Sequence, residues 1–131
     1  MKSAVLFVSP YLEDVRCLSQ MLHALPLAFA HVPGVAQARV EFGLRSYAVI
    51  LTAADLPDGS WLDILPLARD ASPGAVVIVT DRHADARFWA EALNLGAYDL
   101  LVQPFDASEV RRILSNACSR VAPQKAAGAA P

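Results

Sequence analysis

The chain has 131 residues, 55% of them hydrophobic and 18% charged, with a formal net charge of −2. That length accommodates one domain with its own core, and Cys17 and Cys118 lie too far apart in sequence to suggest a metal site or a disulfide framework. The charge balance offers no basic field for nucleic acid or anionic lipid, and the first apolar run is too short to span a membrane, so a cytoplasmic protein is expected.

The first apolar run, Ala4–Val8, leads through Ser9 and Pro10 into "PYLEDVRCLSQMLHAL", where Leu12, Val15, Leu22 and Leu25 recur at helical spacing. Ser9 is placed to cap this helix, Pro10 suits its first position, and Glu13 and Asp14 lie near the positive end of its dipole. Leu27–Val32 is the second run. The third, Val49–Ala54, meets a Pro-Asp-Gly turn and then "SWLDILPLARDA", in which Pro66 predicts a kink or a late helix start. Ala75–Val79 and Leu100–Val102 complete the set. The last helix opens at Asp106 as cap, with Glu109 placed for a capping box. Its stripe is Val110, Ile113, Leu114, Ala117 and Val121. Residues 1–121 thus read as one domain, and 122–131 as a flexible Ala/Pro/Gly tail or linker.

Continuous apolar runs suit a parallel sheet covered on both faces, and their alternation with helices predicts a doubly wound α/β fold of five parallel strands. Working sites in such sheets lie beyond the carboxyl ends of the strands. Here those ends are Ser9–Pro10, Ala53–Asp55, Thr80–Asp81 and Gln103–Pro104.

In "YAVILTAADLPDGSWLDIL", "VIVTD" and "AEALNLGAYDLLVQPFD" the chain resembles the receiver domain of bacterial two-component response regulators. The resemblance implies a flavodoxin-like sheet of order 2-1-3-4-5 and a cis peptide before Pro104. It also implies an acceptor aspartate at the end of the third strand, where this chain has Ala53, a residue without a nucleophilic oxygen. The acidic pair that holds Mg²⁺ in the family is matched by Ser9 and Pro10, which bring no carboxylate. The family's lysine is matched by Gln103 and its switch aromatic by Leu100. Thr80 keeps the place of the switch hydroxyl. A phosphorylation-independent pseudo-receiver is therefore expected: no enzyme, no metal and no cofactor, acting in signal transduction through protein contacts.

The partners implied are a histidine kinase, an output protein or a second copy of the chain, bound through the fourth helix, fifth strand and fifth helix. Arg87, Trp89, Leu100, Arg111 and Arg112 are the candidate contacts. Asp55 reads as a solvated turn aspartate, Thr80 as a strand-end hydroxyl, and Trp61 as packing rather than a lid on the emptied pocket. His23, His31 and His83 share no metal spacing, and "DRH" at 81–83 is not expected to form a catalytic cluster. The alternative is a flavodoxin-like domain taking a small uncharged ligand in the vacated pocket, since "SPYLED" lacks the glycines of a phosphate cradle. Direct nucleic-acid contact and a hydrolytic enzyme are not expected, because no helix-turn-helix segment, GxSxG elbow or HExxH pair occurs.

Overall fold

Each long strand is an unbroken apolar segment, so it must bury side chains above and below. In the computed structural model, which describes residues 3–82 and 85–129 with side chains as far as Ser119, five of them form one parallel sheet. They are β1 (Ser3–Val8), β2 (Leu27–Val32), β3 (Val49–Ala53), β6 (Val76–Asp81) and β7 (Asp99–Val102), in the order β2-β1-β3-β6-β7. Two short arms, β4 (Asp55–Leu56) and β5 (Gly59–Ser60), make an antiparallel hairpin after β3, so β6 and β7 are the fourth and fifth sheet strands. The order is the expected 2-1-3-4-5. In register, Val5 pairs with Val49, Val49 with Val76 and Ile78 with Asp99.

Alternation along the strands divides the core. Leu6, Val8, Ile50, Val77, Val79 and Leu100 face the side covered by α2 (Val35–Leu44), α3 (Trp61–Ala71) and α4 (Ala86–Leu95). Val5, Phe7, Val49, Leu51, Ile78 and Leu101 face α1 (Leu12–Leu22) and α5 (Ala107–Ala129). Phe7 has no exposed surface, and burial of such a ring contributes about 1.5–3 kcal/mol.

Several local expectations change. Ser9 does not cap α1, because its own N–H still pairs with Val32 O at 3.0 Å and keeps it in the path of the strand. The helix begins at Leu12, with Tyr11 at the cap position, and Pro10 lies outside it. Leu12 is exposed, and Leu18 takes its place in the buried stripe beside Leu22. Pro66 does not delay α3. The Ser60 hydroxyl accepts from Leu62 N–H at 3.2 Å and the Asp63 carboxylate from Ser60 N–H at 3.0 Å, which fixes the start at Trp61. Asp106 caps α5 as read, accepting from Glu109 N–H at 3.0 Å and from the Ser108 hydroxyl at 2.6 Å. Val110, Ile113, Leu114 and Ala117 are buried, while the side chain of Val121 lies outside the described residues, as does His83. The α5 backbone continues into the segment that begins at residue 122, where alanine is common and favours helix. The Gln103–Pro104 peptide is cis.

The Pro-Asp-Gly turn has a structural task. Asp58 reaches across to the start of α2 and accepts from Val35 N–H at 2.8 Å and Ala36 N–H at 3.0 Å, capping a helix whose own cap residue is Gly34. A Cβ at Gly34 would stand 2.7 Å from the Asp58 Oδ1, and one at Gly59 only 2.3 Å from the Asp63 Oδ2, so both positions need glycine for the close approach. The bonds from Ala36 and then Val35 hold the Asp58 carboxyl below the usual carboxylate range. Stability from a lowered carboxylate is present above its unfolded pKa and is lost as pH falls through the folded one. Asp58→Ala is therefore expected to lower the thermal midpoint at neutral pH, with the gap to wild type closing as acid protonates Asp58. Thermal melts across an acid pH series check this.

Candidate functional site

Because all five strands run parallel, their carboxyl ends share one edge. Ala54 N–H donates to Thr80 O at 3.0 Å and Gln103 N–H to Asp81 O at 3.0 Å, binding the ends of β3, β6 and β7 into one rim. Above the rim lies a shallow pocket of about 240 Å³ lined by Tyr11, Ala53, Ala54, Asp55, Thr80, Asp81, Arg82 and Gln103. Four residues named from the sequence thus meet there: Ala53, Asp55, Thr80 and Gln103. Ser9 and Pro10 do not line it. Ser9 is wholly buried, with its hydroxyl accepting from Tyr11 N–H at 3.1 Å and its carbonyl accepting from His31 Nε2–H at 2.7 Å.

Where the resemblance puts the acceptor, the pocket lining is hydrocarbon. Ala53 and Ala54 present methyl groups, and the nearby Thr52 hydroxyl is buried and turned back to donate to Ala53 O at 3.0 Å. Thr80 keeps 2% of its surface exposed, where it lines the pocket wall. A methyl carbon cannot attack phosphorus, so no acyl phosphate can form at position 53. The set does not fit Mg²⁺ either. Ser9 and Pro10 offer no carboxylate, and among the described residues no group of three or more His, Cys, Asp or Glu side chains could hold a metal ion.

Tyr11 was not singled out from the sequence, whereas Asp81 was named among the strand ends and Arg82 only within "DRH". Arg82 follows β6 directly and lines the pocket. Its Nη2 lies 3.5 Å from Asp14 Oδ1 on α1, and its guanidinium carbon lies 5.5 Å from the centroid of the Tyr11 ring. Asp14, read from sequence as a helix-dipole residue, is nearly buried, and a desolvated carboxylate calls for a cation. A charged residue directly after a strand end was the available signal.

The second group of candidates is split. Trp89 is 38% exposed on α4, with Leu93 also exposed one turn on, while Phe88 is turned partly into the core. Arg87 and Arg112 are exposed. Leu100 is not a surface contact: it has no exposed area and packs with Val79, Ala92 and Ala97. Its even register places it on the inner face beneath the helices. Arg111 is exposed, but its Nε donates to Met21 O at 3.2 Å, which draws it toward the end of α1. Cys17 and Cys118 are free, half-buried thiols, and burial raises the pKa of Cys118.

No family model matches the chain. It is 28% identical over 105 residues to the response regulator protein PilR of Pseudomonas aeruginosa, covering 79% of this chain and 24% of that protein. It is 27% identical over 96 residues to the regulatory protein LuxO of Vibrio cholerae, covering 72% of this chain and 21% of that one. The chain thus spans about a quarter or less of the curated relatives that it matches. In structure it superimposes on the signal receiver domain of a putative LuxO repressor from Vibrio parahaemolyticus with a TM-score of 0.89 and 20% identity, over 97% of this chain and 98% of that one. The beryllofluoride-activated NtrC4 receiver domain, solved as a dimer, gives 0.82 at 23% identity, over 90% and 98%. The fold is that of a receiver domain, and the sequence relatives are response regulators of two-component signalling.

Trp61 is 5% exposed and packs in the core without lining the pocket. Trp61→Ala is expected to cost about 3–5 kcal/mol of stability. Urea unfolding followed by the fluorescence of Trp89, the one other tryptophan, measures it.

Proposed function

We propose that this receiver-fold domain acts in cytoplasmic signal transduction as a pseudo-receiver that works by protein contact and carries out no phosphotransfer. One observation carries the reading: Ala53 lines the pocket at the position where the family resemblance puts the acceptor. The surroundings agree with it. Gln103 brings no charge where a cation would neutralise a phosphoryl group, and Asp55 and Asp81 add negative charge to the same wall. The domain is then no enzyme, and its output lies in what it binds.

The face of α4, β7 and α5 is the proposed contact. Trp89 and Leu93 supply apolar area one helical turn apart, with Arg87 and Arg112 as polar neighbours. The occupant is a signalling partner, a histidine kinase or an output protein, or a second copy of this chain. The dimer of the NtrC4 receiver makes self-association the first case to examine. A small uncharged ligand in the pocket is the lesser reading. About 240 Å³ is less than most ligand sites offer, and the charged side chains of Asp55, Asp81 and Arg82 in the lining do not suit an uncharged ligand. Among the described residues no helix is long and apolar enough to cross a membrane.

Two measurements decide this. Incubation with Mg²⁺ and acetyl phosphate, or with a histidine kinase and ATP, is expected to leave the intact mass unchanged. A stoichiometric phosphate adduct would sink the proposal. Trp89→Glu is expected to weaken partner binding or self-association by at least tenfold in sedimentation or pull-down titrations while the circular dichroism stays native. Unchanged association would remove this face from the account.

A further inference from the structure

We propose that the Arg82–Asp14 pair, laid against Tyr11, is a latch that ties the end of β6 to α1 and thereby sets how α4 is presented. The idea rests on the reading of α4 as part of a partner face, although its test needs no partner.

Of the helices that flank the sheet, α4 is the most lightly seated. Its one buried residue is Ala92, with Phe88 partly covered, whereas α3 buries Trp61, Ile64, Leu65 and Ala68. Trp89, Leu93 and Leu95 are exposed. A helix with so little packing depends on what holds its ends. At the far end the Arg69 Nη2 donates to Leu95 O at 3.4 Å. At the near end Asp85 caps the helix by accepting from Phe88 N–H at 2.8 Å, a bond within the helix's own first turn. Arg82, three residues before Asp85, supplies a tie across the rim to α1.

The chemistry of that tie is one-sided. The Asp14 side chain keeps 12% of its surface exposed and the Arg82 side chain 56%, so Asp14 is the fixed, desolvated partner and Arg82 the arm that comes to it. Tyr11 supplies a ring face beneath the guanidinium. The other charges near the arm are acidic: Asp55 and Asp81 line the same pocket, and Glu13 the adjoining space of about 370 Å³ along with Asp14, Gln103 and Pro104. They favour a cation at this place and discourage any anion that would compete for it. The charge that a phosphoryl group would add only on modification is thus replaced by a standing ion pair, sensitive to salt but to no kinase.

Amide hydrogen exchange followed by NMR tests the latch. Arg82→Gln is expected to speed exchange in α4 by roughly five- to tenfold at low salt while the amides of β1 and β3 keep their wild-type rates. Asp14→Asn is expected to give a smaller increase, since it leaves the contact with the Tyr11 ring, and the double variant to be no faster than Arg82→Gln. High salt should speed exchange in α4 of the wild type and leave Arg82→Gln unaffected. Unaltered α4 exchange in Arg82→Gln, additive effects in the double variant, or equal acceleration in the core strands each overturns the latch. Association measured on the same variants keeps the two ideas apart. Faster α4 exchange with unchanged association leaves the latch standing and removes the partner-face reading.

Discussion

A parallel strand cannot turn back on itself, so each must be followed by a crossover helix before the next can pair with it. From that constraint comes the common edge on which all five carboxyl ends lie, and hence the meeting of residues 53, 55, 80 and 103 around one pocket. The constraint is enforced by burial: Leu6, Ile50 and Val79 face one helical layer and Phe7, Leu51 and Ile78 the other, each with no exposed area. None of these side chains takes part in phosphoryl chemistry. The frame therefore does not depend on the residues at its rim, and a chain can keep the rim and turns of a receiver fold with two alanines lining its pocket.

The same separation explains what the sequence could be made to say. Apolar runs and turn residues are local signals, so the strands were placed within one or two residues and the sheet order followed from the resemblance. Helix boundaries depended on bonds between distant segments and were less legible. Ser9 looks like a cap, yet its N–H is held by Val32 on the neighbouring strand, and Pro66 looks like a break, yet Ser60 and Asp63 start α3 ahead of it. The role of Asp58 was hidden for the same reason, since its partners Val35 and Ala36 lie more than twenty residues away.

At the site, the residues missing from the receiver pattern were legible because absence of a carboxylate can be read from a letter. What stands in their place was not. Arg82 gains its meaning from Asp14 and Tyr11, which belong to another element and approach it only in the folded chain. Leu100 was misjudged in the opposite direction: sequence placed it on the contact face, but strand parity turns it inward.

The energies then limit what such a domain can do. Reversing a 99:1 conformational preference takes about 5.5 kcal/mol of differential interaction. A partly exposed ion pair contributes about 1 kcal/mol and a guanidinium over a ring about 0.5–1 kcal/mol more. Together they tilt a balance between two close states by roughly tenfold, which is enough to favour one seating of α4 but too little to impose it against a partner that prefers another. On the proposed reading there is no covalent input, and the remaining free energy then has to come from the partner itself. The lightly packed helix that carries Trp89 is where that energy would be received.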